Sequence, residues 1–248
     1  MFERPHHQRI ARVLLGLNGP LLREHCCLFG GGTAVALRHG EFRESVDIDF
    51  LVSDIKGYRQ LRLLLTESKA GIAAIMRKNA GSLTQVRDMR ADQYGIRTML
   101  LVADQQIKFE IILEGRIKLD TPGKNDELCG IATLSQLDMV TGKLLANSDR
   151  WADDSAFNRD LIDLAMIQPS ISLFRQAAAK AGQAYGKAVI KDIDKAITKL
   201  QTRRNWLDRC MKAMAINTPK ALLWKNISTL KRFLPGIVDS RGRIKRQG

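Results

Sequence analysis

Residues 29–52 read FGGGTAVALRHGEFRESVDIDFLV, and the fold turns on this stretch. Gly30, Gly31 and Gly32 follow a short apolar segment, 26–29, and precede a helix-competent run, 33–37. A strand, a glycine turn and a helix in that order let backbone N–H groups approach a phosphate at the helix N-terminus. Downstream, Val46, Ile48, Phe50 and Val52 alternate with Asp47, Asp49 and Leu51, the period of a half-buried strand. Both aspartates therefore project from one face. Two like charges held that close are unfavourable unless a cation lies between them, so the pair points to a divalent metal ion. Either feature alone is common: D-x-D at an exposed strand end, a triple glycine as a plain turn. Together and in this order they are far more specific.

The 248 residues suffice for one large domain or two small ones, and 45% apolar with 27% charged residues is the composition of a globular protein. No segment has the apolar length needed to span a bilayer, and the start of the chain lacks a long apolar stretch with a cleavage site. The expectation is a cytoplasmic protein without a membrane partner. Cys26, Cys27, Cys129 and Cys210 show no C-x-x-C spacing and are expected as buried free thiols. His6, His7, His25 and His39 form no ligand pattern, and no catalytic role is expected of them. Charge is distributed unevenly. Residues 168–248 hold 18 Lys and Arg against 4 Asp and Glu, so the excess of +14 lies wholly there and the front of the chain is neutral. A basic back suits a polyanion, nucleic acid above all.

Outward from the opening stretch, Ile10, Val13, Leu14 and Leu17 mark a helix over 6–18, stopped by Asn18-Gly19-Pro20. Residues 55–69 and 71–78 read as helix. Three strands, 82–88, 94–103 and 105–114, then form an antiparallel meander. In the last of them Glu110 shares a face with Lys108, and taken alone it reads as half of a surface ion pair. The turn cluster 122–126 is the expected domain junction: a core over 1–124 and a helical, basic region over 125–248. Within that region 135–147 is a helix opened by a Ser135-x-x-Asp138 cap, and a second helix runs to Pro169. Residues 170–233 read as helical throughout. Between Lys187 and Leu200, Ile190, Ile193, Ile197 and Leu200 form one stripe, with Lys187, Lys191, Lys195 and Lys199 opposite. With Arg203 and Arg204 they form the expected RNA-binding face, continued by a basic tail, 241–246.

The sequence resembles the nucleotidyltransferase toxins of the AbiEii/AbiGii type, within the DNA polymerase β-like superfamily. The resemblance rests on Gly31-Gly32-Thr33, Arg43-x-Ser45-x-Asp47-Ile48-Asp49-Phe50, Ile107-Lys108-Phe109-Glu110, Lys143-Leu144-Leu145-Ala146 and Arg159-Asp160-Leu161-Ile162-Asp163-Leu164, which together span 29–165. It implies an α/β (α+β) fold: a polymerase β-like core with a mixed sheet, followed by a helical C-terminal domain in which 135–167 complete the nucleotide site. It also implies an NTP substrate, Mg²⁺ or Mn²⁺, transfer of a nucleoside monophosphate to a hydroxyl at the 3′ end of tRNA, and a cognate antitoxin. Carried onto this chain, Asp47, Asp49 and Glu110 would be the metal-holding catalytic carboxylates. Gly31, Gly32, Thr33, Ser45, Lys143, Asp160 and Asp163 would bind the nucleotide, with Arg43, Lys108 and Arg159 in support. One departure stands out: the third carboxylate of such enzymes is usually Asp, and here it is Glu110.

Other readings use the same residues. Aminoglycoside-modifying enzymes carry a similar glycine-plus-DxD block, but a cationic acceptor calls for an acidic pocket that a +14 chain does not advertise. A protein-nucleotidylating enzyme and a catalytically decayed RNA-binding module are the remaining alternatives.

Overall fold

The computed structural model describes residues 2–67, 70–81 and 83–234. The basic tail expected at 241–246 lies outside the described residues, as do the far end of the expected 55–69 helix and residue 82 at the start of an expected strand. The chain divides into two compact units, 1–139 and 140–248. The division falls inside a helix, beyond the turn cluster at 122–126.

In the first unit α1 (Pro5–Gly16) buries Ile10, Val13 and Leu14 at helical spacing. The expected stop at Asn18 also starts a helix, α2 (Gly19–Glu24), because Asn18 accepts the Leu21 N–H at 3.2 Å and Pro20 suits a first turn. Then follow β1 (Leu28–Phe29), α3 (Gly31–Arg38), β2 (Ile48–Val52), α4 (Ile55–Thr66) and a short 3₁₀ turn, Gly71–Ile75, where a helix to 78 was expected. The remaining elements are β3 (Thr84–Gln85), β4 (Arg90–Ala91), β5 (Gly95–Val102), β6 (Gln105–Leu113), β7 (Glu127–Leu128) and β8 (Ile131–Ala132).

The main sheet has the order β1-β2-β6-β5-β3, with β4 also on β5. It is mixed: β2 and β6 run parallel, in register from Ile48 opposite Phe109 to Val52 opposite Leu113, and the other pairs are antiparallel. Phe29, Phe50 and Phe109 line one face with ring centroids 5.6 and 5.5 Å apart, in one core with Leu14, Leu61 and Leu65. The expected meander is present in β5 and β6, but the 82–88 strand shrinks to β3, and the unanticipated β4 shares the same edge of β5. Charged residues at Arg87, Asp88 and Arg90 blunt that edge. The DxD strand also starts later than its alternation suggests. Val46 is 48% exposed and outside β2, because the segment before Ile48 is fastened to side chains of α1 rather than to a strand. Cys26 corrects the thiol expectation: it is exposed, at φ 52° in the turn between α2 and β1, whereas Cys27 and Cys210 are buried.

Helix α5 (Gln136–Arg150) crosses the division, and the second unit continues with α6 (Arg159–Ile167), α7 (Ile171–Tyr185), α8 (Ala188–Thr202), α9 (Trp206–Ala213) and α10 (Lys220–Phe233). Val189, Ile193, Ala196, Ile197 and Leu200 are the buried stripe of α8, which packs on α6, α7, α9 and α10. Phe174 and Phe233 meet with ring centroids 5.7 Å apart.

Phe50 is fully buried between the other two rings. Phe50→Ala should therefore cost about 3–5 kcal/mol in urea denaturation; a cost under about 1 kcal/mol would contradict this account of the core.

Candidate active site

In β2 the buried Ile48, Phe50 and Val52 leave Asp49 on the half-exposed face, with Asp47 two residues earlier, just before the strand. The parallel register sets Asp49 directly opposite Glu110 on β6. Antiparallel pairing then sets Glu110 opposite Arg97 on β5, and Arg97 opposite Arg90 on β4. One row across four strands thus reads Asp49, Glu110, Arg97, Arg90.

The glycine turn is built against this row. The Gly30 N–H donates to the Asp49 carbonyl at 2.9 Å. Gly31 has φ +68°, and a Cβ there would collide with the Asp49 carboxylate, so both conformation and space demand glycine. A Cβ on Gly32 would stand 2.5 Å from the Arg43 guanidinium. No side chain caps α3 and no acidic residue lies in its first turn, which leaves the N–H groups of Gly31, Gly32 and Thr33 turned toward a potential anion. The Thr33 hydroxyl has another task. Thr33 is 1% exposed, and its Oγ1 donates to the Asp47 carbonyl at 2.5 Å and lies 2.9 Å from the Ser45 hydroxyl. It fixes the backbone that carries the first aspartate.

Ser45 is held in turn by a residue of which no role was expected. The Ser45 N–H donates to His7 Nε2 at 3.2 Å, which makes that nitrogen the unprotonated one; His7 Nδ1–H then donates to Glu41 Oε1 at 2.7 Å. Glu41 also accepts the Glu3 N–H at 2.7 Å and the Arg4 N–H at 3.2 Å, while His6 Nε2–H reaches the Val46 carbonyl at 3.0 Å. Two adjacent histidines of α1 therefore clamp the segment that delivers Asp47. The sequence offered little signal, since the partners lie 34 to 40 residues away. Burial, opposed by Glu41, holds the His7 pKa below its usual value. Burial would raise Glu41, but the N–H groups of Glu3, His7 and Arg4 outweigh it and hold its carboxyl below the usual range. Arg43 is buried beside the turn, with Nη1 donating to the Glu44 carbonyl at 2.9 Å.

Glu110 is nearly buried and accepts from Arg97 Nε at 2.8 Å and Lys108 Nζ at 2.5 Å, so the ion pair anticipated with Lys108 is present and Arg97 joins it. Asp47, half-buried, has no side-chain hydrogen bond or ion pair among the described residues. Carboxylate oxygens from Asp47, Asp49 and Glu110 suit a hard cation such as Mg²⁺ or Mn²⁺. Among the described residues no three acidic, His or Cys side chains already converge tightly enough to hold an ion, since Glu110 is turned to its two cations.

In the second unit Lys143 Nζ lies 2.6 Å from Asp163 Oδ2 and 3.1 Å from Asp160 Oδ1. Arg150, which the sequence did not single out, grips Asp160 with two bonds of 2.6 and 2.9 Å. The signal for it was spacing: Lys143 and Arg150 stand seven residues apart on one face of α5. Burial would raise the Asp160 pKa, but Lys143 and Arg150 outweigh it and hold it well below the usual carboxylate range. Arg159 is exposed, and Asp163 is fully buried.

Three of the six expected RNA-binding side chains are engaged within the unit. Lys199 pairs with Asp154 at 2.8 Å; Arg203 pairs with Asp154 at 2.6 Å and stacks 4.1 Å from the Trp206 ring centre; Lys195 bonds Asp192 at 3.1 Å. Lys187, Lys191 and Arg204 are exposed.

The profile described as nucleotidyl transferase AbiEii toxin, type IV TA system, matches residues 12–226. The chain belongs to this family. A crystal structure from Helicobacter pylori, assigned as a nucleotidyltransferase, superposes over 98% of this chain and 97% of its own, at 17% identity and TM-score 0.52. That of JHP933 from Helicobacter pylori covers 95% and 94%, at 18% identity and TM-score 0.47. Among curated proteins none matches. The fold of this AbiEii-family chain is thus a nucleotidyltransferase fold with a mixed sheet, followed by helices. No helix of the described residues is long and apolar enough to cross a membrane.

Two measurements test these contacts. Because folded His7 resists the proton that the unfolded chain accepts below about pH 6.5, its contribution to stability is complete above that pH and is lost as pH falls through its lowered folded value. His7→Gln, whose amide can donate to Glu41 and accept from Ser45 without titrating, should flatten the slope of urea stability in that window; an unchanged slope would contradict the assignment. Lys143→Ala removes the buried cation that Asp160 and Asp163 share, leaving Asp160 to Arg150, and should cost about 3–5 kcal/mol in the same assay, whereas a loss under about 1 kcal/mol would mean the ion pairs are replaceable.

Proposed function

We propose that the chain transfers a nucleoside monophosphate from an NTP to a hydroxyl at the 3′ end of tRNA and releases pyrophosphate, as the toxin of a toxin–antitoxin pair acting in the cytoplasm. The observation that carries this reading is the register of Asp49 opposite Glu110, with Asp47 beside them and the glycine turn packed on Asp49.

In the reaction the acceptor oxygen bonds to the α-phosphorus, the bond from that phosphorus to the oxygen bridging to the β-phosphate breaks, and the hydroxyl proton is lost. Mg²⁺ or Mn²⁺ held by Asp47, Asp49 and Glu110 would neutralise phosphate charge and make the acceptor oxygen more nucleophilic. The N–H groups of Gly31, Gly32 and Thr33 orient the terminal phosphates at the start of α3. The Thr33 hydroxyl and Ser45 keep Asp47 in place. Glu110, released from Lys108, faces the acceptor hydroxyl, and its longer reach substitutes for the usual Asp. Arg43 supports the turn, and in the second unit Asp160 and Asp163 fix the direction of Lys143. The basic excess of residues 168–248 supports an RNA acceptor.

One observation favours a second reading, an RNA-binding module without catalysis: Glu110 is already neutralised by two cations. Labelled NTPs, Mg²⁺ and total RNA separate the two. Wild type should label tRNA and release pyrophosphate, and Asp47→Ala should lower the rate at least about a thousandfold with an unchanged melt. Equal labelling by Asp47→Ala, or RNA binding without pyrophosphate release under any NTP, would overturn the transfer reading.

A further inference from the structure

The row that begins with Asp49 and Glu110 ends in two guanidinium groups. Arg90 on β4 stands directly opposite Arg97 on β5, and like charges so placed repel. Arg97 is satisfied by Asp92 at 2.9 Å and Glu110 at 2.8 Å. Arg90 and Arg87 have no side-chain hydrogen bond or ion pair among the described residues. These three arginines and Lys108 line an open cleft of about 650 Å³, in which Asp88 is the one lining carboxylate. The cluster lies within the first unit, although the chain's net charge excess falls in residues 168–248.

We propose that this cleft binds the phosphate backbone of the polynucleotide acceptor, next to the hydroxyl that Glu110 faces. The inference rests on the transfer reading above. Arginine forks match phosphate oxygens two at a time, and an anion between Arg90 and Arg97 relieves their repulsion. Arg97 and Lys108 link the cleft to the carboxylate site, since both bond Glu110. When Glu110 turns to its catalytic task, Lys108 loses its partner and Arg97 keeps only Asp92, and phosphate takes the place of the carboxylate. A strand entering here supplies phosphates in series beside its terminal hydroxyl. An NTP has its phosphates in one group, which the glycine turn already accommodates.

The test measures binding of the full chain to a fluorescent single-stranded RNA and to tRNA by anisotropy over a range of salt. Arg87→Ala/Arg90→Ala should weaken both RNAs about tenfold at moderate salt and make the slope of log affinity against log salt shallower by about 2. Arg87→Lys/Arg90→Lys, which keeps the charge, should recover most of the affinity, and a thermal melt reports on folding. Unchanged affinity and slope in the alanine pair would overturn the proposal. So would weakened NTP binding in place of RNA, or displacement of RNA by polyglutamate as effective as by RNA itself. RNA binding that depends on the pair, without label transfer under any NTP, would leave the cleft standing and defeat the transfer reading. Label transfer by a pair that binds RNA as wild type does would have the reverse meaning.

Discussion

The parallel pairing of β2 with β6 is the constraint on which the rest depends. In β2 every second residue is buried, so Ile48, Phe50 and Val52 reach the core and Asp49 takes the other face, where the register sets it opposite Glu110. A slip of one residue in β2 would expose Phe50 and turn Asp49 toward the core. The carboxylate pair is thus held by the hydrophobic core on the opposite face. Without a cation it carries mutual repulsion, which the structure offsets by placing Arg97 and Lys108 against Glu110. These bridges are partly exposed and individually weak, so Glu110 can exchange partners at small cost.

Position along the strand is controlled more locally. Asp47 precedes β2 and has no ladder partner, so its backbone is fixed through a chain of hydrogen bonds from Glu41 to His7, Ser45 and Thr33. Gly31 permits the start of α3 to approach Asp49 more closely than any side chain would. The second unit uses a different device, a buried lysine between two aspartates closed by Arg150. Removing one partner there leaves an uncompensated charge, so the cluster is rigid where the Glu110 bridges are exchangeable.

Much of this was legible from local pattern. Alternation over 46–52 and 105–114 located the two central strands, the first of them two residues too early, and glycine spacing located the turn before α3. Strand order was not legible, because nothing within either segment says that β6 rather than β5 lies beside β2; only the resemblance joined Asp49 to Glu110. Contacts between distant segments escaped for the same reason. His7 carries no ligand motif, and its partners become visible only when α1 lies against residues 41–46. Arg90 opposite Arg97 escaped because β4 is two residues long and has no periodicity to read. Lysine opposite an apolar stripe marked the outer side of α8, yet Lys195 and Lys199 spend their charge on Asp192 and Asp154, which spacing alone does not reveal.

The central claim is that Asp47, Asp49 and Glu110 form one cation-dependent site. Its most direct test is a crystal structure with Mn²⁺ and a non-hydrolysable NTP, located by the manganese anomalous signal. The account predicts a peak among the three carboxylates, with Glu110 turned away from Lys108 and the triphosphate at Gly31–Thr33. A peak elsewhere, or Glu110 still bound by Arg97 and Lys108 with nucleotide present, would contradict it.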